Sequence, residues 1–336
     1  MPPLSPTIDE LRREVDRTVA ADLERRAEAL PEARLLIDEM WRLTAAGGKR
    51  LRPAFCYWGF RAASGSHGPE IVRAAASLEL LHTFAIVHDD IMDAADERRG
   101  EEAVHARHGV GVGILVGDLA LVLADDAFMG AGFAPATTAR AFEAYSRMRQ
   151  EVIAGQYLDL AYAARADISV PEARRVAVLK SGRYSIEEPL AIGAALAGAG
   201  DGFLARLAAF GGPLGEAFQL RDDLLGTFGD RSSVGKPVDS DILEGKRNVL
   251  YAFAAASLDG PDGDFVRSRW GGEALTEDEV ARLRDLVESS GARAATERLL
   301  DEQVGEARAR LADLALGAEA RAALEELVFL ATARRA

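Results

Sequence analysis

The chain has 336 residues, nearly half of them hydrophobic (49%), one cysteine and a formal charge of -14. That length and apolar content can bury a sizeable core, and the lone Cys56 excludes an intramolecular disulfide framework. With 54 acidic residues against 40 basic ones, nonspecific nucleic-acid binding is disfavoured, and an anionic ligand must be drawn by local bases or by metal ions.

Pro2, Pro3 and Pro6 mark a loose start over residues 1–6, after which Ile8, Leu11, Val15, Val19 and Leu23 recur at steps of three or four, one face of an amphipathic helix. Pro31 restarts the pattern, Gly47-Gly48 interrupts it, and a loop is expected from Gly65 to Pro69. Glu70 to Asp93 lacks internal Gly or Pro and carries Leu78, Leu81, Ala85 and Met92 at helical spacing, so it reads as a long, central, mostly buried helix. Further helices are expected at 111–131, 137–164, 171–180, 184–199 and 203–226, with another helical series after Gly260-Pro261. No alternating β-branched runs suggest a sheet, and no Pro-, Gly- and Ser-rich linker divides the chain. The expected fold is therefore all-α, one domain over 1–336. The apolar stretches at 111–123 and 192–200 are too short, or too rich in Ala and Gly, to span a bilayer, and no secretory leader opens the chain. A cytoplasmic protein is the expectation.

Two apolar helices share an acidic ending, His88-Asp89-Asp90 and Arg221-Asp222-Asp223, and would face one another across a cavity mouth. Asp89 and Asp93 are four residues apart and stack on one helix face. Two carboxylates ~4 Å apart repel by ~4 kcal/mol at an effective dielectric of ~20, so a cation is needed. Magnesium, commonly held by one or two carboxylates together with phosphate oxygens, suits them. The second stretch has Gly226 where a stacked acid is expected, with Asp230 a weak substitute. A single Asp pair would otherwise read as a solvated helix end.

In Gly47-Gly48-Lys49-Arg50-Leu51-Arg52-Pro53, three cations follow a flexible pair of glycines and can converge on an anion, although a solvated basic helix start has the same pattern. Arg98-Arg99-Gly100 follows the first acids, Lys180-Ser181 lies mid-chain, and Lys236 and Lys246 flank a loop after the second acids. His82 sits two turns before Asp89, as an anion donor or a satisfied core histidine.

Across about 47–249 these residues resemble the trans-isoprenyl diphosphate synthases, or polyprenyl synthetases. The resemblance rests on Gly-Gly-Lys-Arg-Leu-Arg-Pro, His-Asp-Asp-Ile-Met-Asp with its Arg-Arg-Gly, Lys-Ser, Phe218-Gln219-Leu220-Arg221-Asp222-Asp223, and Gly235-Lys236-Pro237 leading to Glu244-Gly245-Lys246. It implies a bundle of about a dozen helices around a deep cavity, usually a homodimer. It further implies a magnesium-dependent condensation of isopentenyl diphosphate with an allylic diphosphate, with three ions in the loaded site. Lys49, Arg52, His82 and Arg99 would hold isopentenyl diphosphate; Asp89, Asp93 and Asp222 would bind metal, supported by Asp90 and Asp223. Arg98, Lys180, Ser181, Gln219, Lys236 and Lys246 would face the allylic diphosphate, and 155–159 would line the same cavity. Phe84 and Ala85, one turn deeper than the acids, with Leu81 and Leu78 below, would set chain length at twenty carbons, with fifteen next. A terpene cyclase shares the acids but needs no second diphosphate pocket, and a noncatalytic synthase subunit would not need nearly every site residue.

Overall fold

The structure is a computed structural model describing residues 5–229, 239–272 and 274–333. Two compact units are distinguished. The first comprises Met1–Tyr145, Pro189–Leu207 and Ala315–Leu327; the second comprises Ser146–Glu188, Ala208–Leu314 and Val328–Ala336.

In the first unit α1 (Ile8–Ala29) buries the expected stripe, Ile8, Leu11, Val15, Val19 and Leu23, and adds Ala27. It starts where Thr7 and Glu10 form a reciprocal capping box that satisfies two otherwise orphaned N–H groups. Before it, the Ser5 N–H donates to Glu319 at 3.1 Å and Pro6 is buried. A short 3-10 turn (Pro31–Ala33) leads into α2 (Arg34–Ala45), and α3 (Leu51–Ala62) follows the two glycines. Next comes α4 (Pro69–Met92), with Pro69 inside its first turn, where a missing N–H costs nothing. It is apolar and long enough to cross a bilayer, but 72% of its most apolar stretch is buried inside the protein, as expected of a core helix. After it come α5 (Val104–His108), α6 (Val110–Met129) and the first part of α7 (Pro135–Ala163).

A short ladder departs from the sheet-free expectation. Glu97–Arg98 pairs antiparallel with Glu101–Glu102, and Arg99 (φ 57) and Gly100 (φ 76) make the tight turn between them. Positive φ at both central residues matches the right-handed twist of two-residue hairpins. Two-residue strands are too short to show an alternating pattern in sequence.

In the second unit α8 (Val170–Ala177) was expected to end near Lys180 and a new helix to begin at Tyr184. Instead the backbone continues without a break as a π-helical stretch (Val178–Glu187) into α9 (Glu188–Leu196), which belongs to the first unit from Pro189 on. Gly182 packs against Gly215 of α10 (Asp201–Phe228) so closely that a Cβ at 182 would meet the Gly215 backbone at 2.8 Å. Gly182 is needed for that contact. The remaining helices of this unit are α11 (Ser240–Leu243), α12 (Val249–Ser257), α13 (Gly260–Arg269), α14 (Glu277–Ser289) and α15 (Ala292–Ala312), while α16 (Ala318–Thr332) belongs to the first unit up to Leu327. The core of the second unit gathers Leu220, Leu224, Tyr251, Val266, Leu283 and Leu300.

Candidate active site

At the end of α4 the Asp93 N–H donates to the Asp89 carbonyl at 2.9 Å, so the two acids remain one helical turn apart, as their spacing predicts. Negative charge at a helix C-terminus also opposes the helix dipole, which makes three acids there costly. Arg98, carried back by the hairpin, relieves part of this cost. Its Nε donates to Asp90 Oδ1 at 2.7 Å, and one Nη bonds both Asp90 and, at 3.3 Å, Asp89 Oδ2. Asp90 is 1% exposed, whereas Asp89 and Asp93 are only partly buried.

The basic segment divides its labour. Arg50, in the left-handed region at φ 52, is buried and committed to structure: it bonds Asp16 of α1 at 2.6 Å, Glu79 of α4 at 3.1 Å, and the carbonyls of Gly47 and Thr44. The expectation that all three cations of this segment point at one anion therefore fails for Arg50, because two carboxylates and two carbonyls already receive its guanidinium. Arg99 braces the same loop through the Leu43 and Gly47 carbonyls, at 3.0 and 2.7 Å. Its other Nη lies 3.4 Å from His82 Nε2, which must then accept. Burial, then the cations Arg52, Arg99, Arg98 and Arg50, push the His82 pKa well below the usual value. His82 is thus a neutral ring ringed by arginines, with Lys49 and Arg52 partly buried on the same segment as Arg50. That concentration of positive charge suits an anion.

In the second unit Asp222 and Asp223 lie within the penultimate turns of α10, which runs on to Phe228. Asp223 is 4% exposed and accepts from Gln219 Nε2 at 2.7 Å. Burial and the nearby Asp241 raise its pKa well above the usual carboxylate range, with Asp222 adding to the rise. Lys180, in the π-helical stretch beside buried Ser181, and Lys246 both reach Asp159 Oδ2, at 2.7 and 3.2 Å. Lys236 and Asp230 lie outside the described residues.

Comparison with known proteins identifies the family. The family pattern for polyprenyl synthetase matches residues 34–287. The chain belongs to the polyprenyl synthetase family. A geranylgeranyl diphosphate synthase of Sulfolobus acidocaldarius is 34% identical over 262 residues, 75% of this chain and 76% of the relative. A (2E,6E)-farnesyl diphosphate synthase of Mycobacterium tuberculosis is 34% identical over 251 residues, 73% of this chain and 68% of that one. Among solved structures, a geranylgeranyl pyrophosphate synthase from Corynebacterium glutamicum, complexed with isoprenyl diphosphate and magnesium, has a TM-score of 0.94 and 33% identity. It covers 98% of this chain and 100% of its own. The all-α expectation holds, and the chain is a prenyltransferase.

Against the family's usual second acidic stretch, Gly226 is the departure, and the structure supplies a carboxylate there from elsewhere. A Cβ at 226 would stand 2.5 Å from Asp241 Cγ, so the Asp241 carboxylate, fixed by Asn248 Nδ2 at 2.9 Å, lies where a side chain at 226 would begin. Sequence reasoning missed Asp241 because α11 is separated from α10 in the chain, and its signal was only a glycine at an unexpected place. Of the chain-length candidates, Phe84 is half-buried and meets His88 edge-on at 5.0 Å. His88 itself is seated over Gly117 of α6, where a Cβ would stand 2.2 Å from its Nε2. Ala85 is partly buried, while Leu81 and Leu78 are packed into the core at 0% and 1% exposure.

Proposed function

We propose that this polyprenyl synthetase joins isopentenyl diphosphate to an allylic diphosphate and that its main product is the twenty-carbon geranylgeranyl diphosphate, with the fifteen-carbon farnesyl product as the alternative. The observation that carries the condensing reading is the neutral His82, 3.4 Å from Arg99 and flanked by Arg52 and the Lys49 segment. It is an anion site beyond the acidic stretches, which an enzyme cyclising a single diphosphate would not need. The names of the relatives favour the two product lengths.

The acids are a donor set of hard carboxylate oxygens, and among the described residues no group of three or more His, Cys, Asp and Glu side chains stands ready to cage a metal. That fits magnesium, which takes one or two carboxylates and completes its shell with water and substrate phosphate. Asp89, Asp93 and Asp222 would hold three ions in the loaded enzyme, with Asp90 and Asp223 supporting. Bound magnesium would neutralise charge developing on the departing diphosphate.

Lys49, Arg52, His82 and Arg99 hold isopentenyl diphosphate in this reading. Arg98, Lys180, Ser181, Gln219, Lys236 and Lys246 receive the allylic diphosphate, drawing off negative charge as the C–O bond ionises. The Lys180 and Ser181 carbonyls and the Gln219 side chain place dipoles beside the allylic cation, and apolar helix walls keep water from it. The isopentenyl double bond then attacks, a new C–C bond forms, and the released diphosphate accepts the lost proton. We extend the reading to a homodimer: Leu115, Val122 and Met129, seven residues apart on α6, are each more than half exposed and make an apolar stripe.

Purified protein incubated with an allylic diphosphate, with and without isopentenyl diphosphate and magnesium, tests the reaction. Elongated products only when all three are present are expected, and products from the allylic substrate alone would overturn condensation in favour of cyclisation. Phe84→Ala should lengthen the extracted products, and unchanged lengths would remove Phe84 as the floor.

A further inference from the structure

Asp159 stands on the last turns of α7, at the end of the stretch 155–159. Its side chain is 11% exposed, and a single oxygen, Oδ2, receives two ammonium groups from distant parts of the chain: Lys180 at 2.7 Å and Lys246 at 3.2 Å. Two lysines sharing one oxygen lie within about 6 Å of each other, where like charges repel. Each also has four rotatable bonds that favour solvent over a fixed position. A part-buried carboxylate between them changes both facts. It draws the ammonium groups together and orders them before any ligand arrives.

Burial works to raise the Asp159 pKa, but Lys180 and Lys246 outweigh it and hold the carboxyl ionised, below its ordinary range. Glu244 also stands 3.8 Å from Lys246, so the ammonium groups are held between carboxylates until a more highly charged diphosphate takes their place. A diphosphate presents several oxygens over a few ångströms, a spacing that two ammonium groups anchored on one atom can bracket. Placement on three separate elements makes this a built arrangement rather than a pair of neighbours on one helix. Gly155, one turn earlier on α7, packs so tightly that a Cβ there would come within 2.4 Å of the Lys180 backbone nitrogen, which locks α7 against the π-helical stretch at this point.

We propose that Asp159 is a positioning residue that presents Lys180 and Lys246 as a matched pair to the allylic diphosphate and releases them to it on binding. The proposal rests on the condensing function and on those two lysines serving the allylic substrate. Its signature is selectivity, since the isopentenyl group depends on Lys49, Arg52, His82 and Arg99 instead.

The test is steady-state kinetics of wild type and Asp159→Asn, varying each substrate in turn at saturating magnesium, with circular dichroism to check folding. Asparagine keeps the shape but removes the charge, and the KM for the allylic diphosphate is expected to rise by about tenfold, the worth of one charge-assisted contact. The KM for isopentenyl diphosphate should stay within about twofold, while kcat falls as the lysines lose their hold on the leaving diphosphate. Inhibition by inorganic pyrophosphate competing with the allylic substrate should weaken in parallel. An allylic KM that is unchanged or lower, or one that rises in step with that of isopentenyl diphosphate, would overturn the proposal. Should Asp159→Asn fail to fold, Asp159→Glu, which keeps the charge but displaces it, carries the same comparison: a rise in the allylic KM alone supports the proposal, and equal or absent shifts overturn it. Wild-type protein that makes no elongated product would instead overturn the underlying function, a separate result visible before any variant is made.

Discussion

Asp90 and Asp223 are carboxylates of similar depth on two apolar helices, 1% and 4% exposed, yet their surroundings are opposite. Asp90 has a guanidinium from Arg98, only eight residues further on, delivered by a hairpin. Asp223 has an amide from Gln219 and two more carboxylates, Asp241 and Asp222, which push its proton affinity up. The first acidic stretch thus carries its own counterion, while at Asp223 burial and the neighbouring carboxylates push the proton affinity up. A buried pair broken on one side is costly, whereas a buried carboxylate among its own kind is already paying that cost. The same residue type therefore supports the fold differently in the two places.

Five substitutions press on this contrast. Asp89→Ala should lower turnover by about a thousandfold or more, equal to ~4 kcal/mol of barrier, with an intact fold by circular dichroism. Retained magnesium-dependent activity would refute its assignment. Arg98→Ala strands Asp90 and should cost about 3 kcal/mol of stability in urea unfolding. Adding Asp90→Asn should recover most of that loss, and an Arg98→Ala protein as stable as wild type would show that Asp90 does not depend on it.

In the second stretch the effects run smaller and partly in reverse. Gly226→Asp, which restores the family's usual acid, should destabilise the protein by about 1–3 kcal/mol rather than improve it, because Asp241 occupies the space. A gain in stability or activity would show that Asp241 can move aside. Asp223→Asn should raise the Tm of metal-free protein, by about 2–4 °C for each kcal/mol of strain relieved, while lowering activity. The pH dependence follows from the direction of the shift. A carboxyl whose folded pKa is raised contributes its full share of stability below the unfolded value of 3.8 and loses it as pH rises through the folded one. The advantage of Asp223→Asn should therefore be largest near neutrality and close as pH falls toward 3.8; an advantage independent of pH would point to packing instead.

Much of the helical order was legible because burial follows spacing. The stripe of α1 is the series that was expected, and the breaks at Pro31 and Gly47-Gly48 fall where ring and backbone geometry demand them. Continuity through Ser181-Gly182 was not legible, since a glycine looks the same whether it ends a helix or admits a neighbour such as Gly215. Of the candidate site, the acids and most bases could be named from motif and resemblance. The commitment of Arg50 to Asp16 and Glu79 could not, because its partners lie on helices 34 and 29 residues away.

By itself the sequence determined the all-helical class, the family, and the inventory of carboxylates and cations, because periodicity and local motifs are written in neighbouring residues. Only the tertiary structure decided which cations are spent on the fold and which pair with acids, that Asp241 stands in the room left by Gly226, and that Asp159 gathers two lysines. Charge interactions act through space over a few ångströms, and chain separation carries no record of who those neighbours will be.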